Sequence, residues 1–344
     1  MQSNLMEILY QNKPKNLVRL NHHSTKIPNA LNLVLFTGIF LINIYQFFIV
    51  PIVINYNMYY AFTLIPCLFF IPTTGVIVHE AIHNLMHTNL KINRFMGRVM
   101  AVFVGISFDL QRIDHLKHHV YNRTEKNCDE VYNPQLMSLP KATFHYFYNN
   151  IIGVYWHDFF LTLIICHFPQ RTIFTIMSYV YGKKISSSTD SVLNSVINTN
   201  KLPALRLEGM ALLLLLVLSS YLYGKYLAIL IGLYILRALI LAGLDSFAHY
   251  DTPLNDVLFA KNIKLPKLIE KFIFMNFNNH GVHHIFPTVS WWFLPNYKQF
   301  FAPNFYFITH GSIWNAIRKK YSKPFPLVSF PTKIVLNFRN SLNV

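Results

Sequence analysis

Acidic residues are scarce in this 344-residue chain, 14 Asp and Glu against 30 Lys and Arg, for a formal net charge of +16. Charge of either sign is scarce too: 13% of residues, against 53% hydrophobic, which argues against a soluble surface. Cysteine is nearly absent. Cys67, Cys128 and Cys166 are widely spaced and form no CxxC. Within the chain this excludes a disulfide framework, a four-cysteine iron–sulfur site and a zinc ribbon. No glycine-rich linker and no glycine-rich dinucleotide fingerprint occurs. The basic excess lacks the interleaved aromatics of a nucleic-acid surface. It fits cytoplasmic loops or contact with anionic lipid, and it would also suit an acidic protein partner. Residues 1–30 are polar, with Lys13, Lys15, Arg19 and Lys26. They read as a cytoplasmic N-terminus rather than a cleavable signal peptide, ahead of one membrane domain over residues 31–344.

What is abundant is long apolar sequence. Leu31–Ile54 passes the length of about 20 residues that a crossing helix needs. A turn at Asn55–Met58 leads into a second such run, Tyr59 to about Val78. Phe95–Phe108 is apolar but short, with Arg98 inside it, and reads as an interfacial helix. Met210–Tyr223 and Tyr226–Leu244, separated by Gly224–Lys225, read as a second hairpin, with Arg206 and Glu208 awkward at its start. Thr143–Phe168 is long enough to cross but carries His145, His157, Asp158 and His167. The sequence therefore predicts an all-α integral membrane protein. It would have four transmembrane helices in two hairpins, with Thr143–Tyr181 interfacial or re-entrant. Ser186–Asn200 reads as a polar loop. The tail from Tyr250 to Val344 has eleven Lys and Arg against three acids, which predicts a cytoplasmic side for it.

Eight histidines fall in three short clusters: His79 and His83; His115, His118 and His119; His280, His283 and His284. Spacings of three and four residues put imidazoles on one helix face. A lone histidine beside a membrane helix is usually a cap. Three clusters beside apolar segments point to metal ligands in a histidine-rich cap, and imidazole suits iron, copper, nickel or zinc. Eight ligands exceed one ion's needs and suit two. Were Thr143–Phe168 to cross alone, the third cluster would lie on the opposite side from the others. His249 stands just past the last run, one turn after Asp245, and reads as a further ligand. Asp245 would support it by hydrogen bonding, directly or through water, and His87 is a candidate for the same kind of support. Arg237, inside the last run, should face protein, water or an anionic group. Trp291 and Trp292 read as part of an interfacial aromatic belt.

His79-x-x-x-His83, His115-x-x-His118-His119 and His280-x-x-His283-His284, in that order and followed by Ile285–Trp291, resemble the membrane-bound histidine-box fatty-acid desaturases and their hydroxylase relatives. The resemblance runs from about Gly75 to Pro303. It implies a di-iron enzyme that uses O2 to remove hydrogen from an unactivated C–H bond of a lipid chain, with two iron ions as cofactors. It also implies an external electron donor of ferredoxin or cytochrome b5 type, since the chain shows no electron-carrying motif of its own. Some relatives have Asn where Asp245 stands. Members with a fused cytochrome often have Gln where His280 stands. Desaturation of a fatty acyl chain is the expected activity, with hydroxylation or ketolation of a lipid or carotenoid as the alternative on the same scaffold. His79–Glu80–Ala81–Ile82–His83 also matches the H-E-x-x-H pattern of zinc proteases, with Glu80 as general base, but that reading strands the other histidines. A metal transporter would need ligands along a transmembrane path. Lys261, Lys264, Lys267 and Lys271 are the candidate docking residues for an acidic electron donor.

Overall fold

The computed structural model describes residues 26–124, 127, 131–134, 137–148, 154–173, 175–176, 201–250, 252, 260–297 and 325–326. Its regular structure is helical apart from a two-residue parallel pairing of β1 (Val131–Tyr132) with β2 (Phe325–Pro326).

The first long helix, α1 (Asn29–Val53), has 25 residues, about 37 Å at the α-helical rise. It widens into a π-turn at Tyr45–Ile49, just before Pro51. Proline cannot donate its share of the helical ladder, and the extra residue per turn takes up the defect. The second apolar run is not the single straight helix its hydropathy suggests. It divides into α2 (Met58–Leu68) and α3 (Ile71–Ile82), bent by 46°. Asn57 caps α2 by accepting from Tyr59 N at 3.0 Å, and Pro72 in the first turn of α3 forbids continuation from α2. Asn84 ends the helix in the left-handed region (φ +62°), a conformation asparagine tolerates.

The short run expected at Phe95–Phe108 lies in one helix up to Val104, and only its last residue enters the next. Helix α4 (Leu90–Val104), capped by Asn89, stops at Gly105 (φ +97°), and Ser107 caps α5 (Phe108–Tyr121). A Cβ at Gly105 would lie 2.8 Å from the Phe159 ring. Helix α4 packs along α3 through Gly97, where a Cβ would collide with Phe108 and Ala81. Helix α6 (Leu139–Tyr148) runs into the ambiguous stretch that starts at Thr143, and α7 (Val154–His167) lies within it. Helix α7 spans about 21 Å, less than a hydrocarbon core of about 30 Å. The expected loop Ser186–Asn200 lies outside the described residues, as does the side chain of Asp245.

The apolar stretch Leu202–Leu244 has 43 residues, about twice what one crossing needs. It breaks at Gly224 (φ +48°) into α8 (Leu202–Tyr223) and α9 (Leu227–Phe247). Residues 203–207 belong to α8. Glu208 is buried but paired, accepting from Arg98 Nε at 2.9 Å and from Ser107 Oγ. Arg206 reaches the Phe168 carbonyl. At the other end of α8, Tyr223 donates to the Gln46 carbonyl at 2.7 Å. In α9, Arg237 faces protein: it donates to the Phe103 carbonyl, Asn43 Oδ1 (3.1 Å) and Gln46 Oε1 (2.9 Å), and lies 5.2 Å from the Phe47 ring centre. Trp291 is no belt residue. It is 1% exposed, donating N–H to Glu80 at 3.0 Å and indole N–H to Asn32 at 2.9 Å. One apolar core joins α1, α3, α4, α8 and α9 beneath the histidines.

Candidate metal centre

Four separate elements bring nine imidazoles together. Two stand at the end of α3, three on α5, one just after α9 and three on α10 (His280–Ile285). Their nitrogens gather in two groups, each with all atoms within 4.8 Å. One group is His79, His83, His115, His119 and His283. The other is His118, His249, His280 and His284. The sequence clusters are therefore not the spatial ones. On α5, His115 and His119 share a face one turn apart, while His118 points to the other group. On α10, His283 joins the first group, and His280 with His284, again one turn apart, joins the second.

Within the first group, His115 Nε2 lies 3.0 Å from His83 Nε2 and 3.1 Å from His119 Nε2, and His119 Nε2 lies 3.1 Å from His283 Nε2. In the second group, His249 Nε2 lies 3.1 Å from His118 Nε2 and 3.0 Å from His280 Nε2, with His284 Nε2 3.1 Å from His280 Nε2. Imidazole binds such ions at about 2.0–2.1 Å, which leaves neighbouring ligand nitrogens about 3 Å apart. The set fits a metal on further counts. Both ring nitrogens of His79 are buried with no hydrogen-bond partner. Burial, joined by repulsion from neighbouring histidines, pushes the imidazoles of His115, His119, His249, His280 and His283 well below their ordinary value. They are neutral at pH 7, with lone pairs free for a metal.

Residues that sequence spacing does not single out hold these rings. Asn127 Oδ1 lies 2.7 Å from His118 Nδ1, so the Nδ1 proton points away and Nε2 faces the group. The Asn122 amide lies 3.4 Å from His284 Nδ1. Arg123 donates to the Thr252 carbonyl at 2.7 Å, and Thr252 Oγ1 donates to the His249 carbonyl at 2.8 Å. Ahead of α10, Met275 and Asn276 take positive φ. Asn279 bonds Glu270 and the Asn276 carbonyl, Asn278 bonds the Ile263 carbonyl, and Asn262 accepts from Val282 N. The run Asn276–Phe277–Asn278–Asn279 was the available signal, because asparagine both tolerates left-handed backbone and bonds it locally.

Glu80 is buried, its Oε2 accepting from Trp291 N and its Oε1 3.6 Å from His79 Nδ1. It ties the start of the centre to the segment after the third cluster. His87 belongs to neither group, and its Nδ1 accepts from Asn89 N at 2.9 Å. Lys261 is 1% exposed and donates to the Tyr250 carbonyl, so it forms no part of an exposed docking surface. Burial removes the accessible ammonium that electrostatic steering needs. Lys264 and Lys267 are exposed, and Lys271 lies 4.2 Å from the Trp292 ring centre.

An apolar cavity of about 160 Å³ opens on the first group. It is walled by α3 (Gly75, Val76), α9 (Leu241, Leu244) and Tyr155 of α7, with His79 and His115 at the histidine end. Its polar lining includes Gln111, whose amide donates to Asp158. A smaller void of about 20 Å³ touches His280.

No curated protein and no solved structure matches the chain. A family model described as fatty acid desaturase matches residues 57–314.

Proposed function

The chain belongs to the fatty acid desaturase family, and from that premise we propose that it is a di-iron, O2-dependent desaturase placing a double bond in the fatty acyl chain of a lipid. One observation carries the reading: two groups of buried, neutral imidazoles stand side by side, one of them at the end of an apolar cavity. His79, His83, His115, His119 and His283 would hold one iron, and His118, His249, His280 and His284 the other. Iron bound there supplies the O2 chemistry that removes hydrogen from a C–H bond too weakly acidic for any side-chain base.

The protein's own residues do the rest. Val76, Leu241 and Leu244 bind a chain by apolar burial and keep water from the reacting carbon. Tyr155 turns its hydroxyl to the Val104 carbonyl, so that wall stays apolar. Asn127 keeps the His118 Nδ1 proton away from the centre, and Glu80 ties the end of α3 to the Trp291 backbone.

The contacts support four membrane crossings. The start of α1 meets Thr88, near the histidines, and its Gln46 meets the far end of α8. Arg237 of α9 also meets Gln46, and His249, past the end of α9, meets His118. Helices α8 and α9 thus run as a hairpin between two levels, as α1 and α2–α3 do. The basic tail argues for a cytoplasmic position of the histidine centre. Reducing equivalents would come from a ferredoxin or cytochrome b5.

Hydroxylation or ketolation would use the same ligands, and the product decides between them. The protease reading is disfavoured by Glu80, which is engaged with Trp291 N instead of facing a water site. Purified protein should carry close to two irons per chain. Expressed with a compatible donor, it should add a lipid two mass units lighter than its precursor by mass spectrometry. One zinc per chain, or no altered lipid, would refute the assignment.

A further inference from the structure

Among the described residues, two cavities reach the histidines, and each touches a different group. The larger includes His79 and His115, the smaller His280. They share two lining residues, Leu244 and Phe277. We propose that Phe277, backed by Leu244, is the stop that sets how far a lipid chain runs past the histidines, and so selects chain length and the carbon presented there. The inference rests on the acyl-chain reading of the larger cavity given above.

The Phe277 ring is wedged between the two groups. Its centre is 4.6 Å from that of His79 and 4.6 Å from that of His280, with ring planes at 67° and 63°. These are edge contacts of the kind aromatic rings prefer. Its backbone is held as firmly. Phe277 begins a single 3-10 turn, its N–H bonded to the Phe274 carbonyl at 2.8 Å. The preceding Met275 and Asn276 occupy left-handed backbone, and Asn278 and Asn279 are tied by their side chains to Ile263, Glu270 and Asn276. With its backbone held, the ring can swing aside only by giving up both imidazole contacts. A chain sliding between α3 and α9 therefore meets a fixed aromatic wall at the level of the ligands. Beyond it lies void space that the chain cannot use. Phe277 contributes no polar atom, so the selection is steric.

An apolar wall of this kind discriminates chains differing by one methylene by about 10- to 200-fold. The metal-loaded enzyme, with donor and O2, is given mixed acyl chains of graded length. Wild type should favour its best chain over one two carbons longer by about tenfold or more. Phe277→Ala and Leu244→Ala, acting from the two sides of the partition, should both bring that ratio near one and move the modified carbon. Phe277→Trp should shift the preference to shorter chains. Phe277→Leu serves if the alanine variant fails to fold. The same proteins are titrated without donor with graded lipids, in competition against a fluorescent lipid, so a variant that does not turn over still reports its length profile. Unchanged length profiles in the Phe277 variants and in Leu244→Ala would overturn the stop. A wild type that binds lipids with a length preference but yields no product would instead refute the proposed reaction and leave the stop standing.

Discussion

At the scale of single residues, the centre is built from neutral histidines, and this fixes its behaviour with acid. His115, His119, His249, His280 and His283 titrate well below 6.5 in the folded protein and near 6.5 once unfolded. Between those values the unfolded chain binds protons that the native one does not, so the stability these five contribute is lost as pH drops below 6.5 and is constant above it. Thermal unfolding of chelator-treated protein in detergent should therefore show a melting temperature that declines from pH 7 to pH 5. Restoring iron should raise it throughout that range, because metal binds only the folded arrangement. A melting temperature that rises on acidification would contradict neutral imidazoles. His118→Ala and His283→Ala remove one ligand from each group. Each should abolish activity and lower bound iron while membrane insertion is unchanged. Asn127→Ala leaves the ligand set whole but frees the His118 ring, and should cost about 10- to 100-fold in metal affinity or activity. Asn127→Asp keeps the acceptor and should recover most of that loss.

At the scale of elements, punctuation decides where the histidines stand. Pro72 marks the bend between α2 and α3, Asn84 ends α3 one residue after His83, and Gly105 turns the chain between α4 and α5. Hydropathy finds the apolar runs but passes over these breaks. That is why Tyr59–Val78 reads as one segment and folds as two. The proposed four-crossing arrangement makes a direct topological prediction. In a cysteine-free background, single cysteines at Thr88 and Lys264, both exposed, should react with an impermeant reagent from the same side of sealed vesicles. A cysteine at Asn57, in the turn between α1 and α2, should react only from the other. Asn279 is unsuitable for such labelling because it is 1% exposed. Reaction of positions 88 and 57 from one side would rule out α2–α3 as a crossing segment, and α1 with it, since the start of α1 meets Thr88.

At the scale of the whole molecule, a net charge of +16 bears on the proposed electron donor. Protein, O2 and lipid alone should give no turnover, and a reductase with ferredoxin or cytochrome b5 should restore it. Donor saturation should weaken as ionic strength rises, since an acidic donor is steered by charge over about 10 Å at 0.1 M salt. Reversing Lys264, Lys267 and Lys271 together should raise the donor's apparent Michaelis constant and flatten the salt dependence. Exposed Leu268 and Phe272 on the same segment offer lipid a surface instead, and unchanged donor kinetics would assign the lysines to it. The sequence by itself determined the helical class, the apolar segments, the family and all nine histidines that converge. Those depend on composition and on spacing along one helix, which are local properties. Tertiary structure alone decided how the histidines divide between two groups, because a face of α5 or α10 acquires meaning only from the helix opposite it. It also decided that Trp291 and Lys261 are buried, and that Asn127, Arg123 and Thr252 stand behind the ligands. Partners 31 to 211 residues apart in the chain, such as His249 with His280 and Glu80 with Trp291, leave no periodic trace, since packing brings them together and spacing does not.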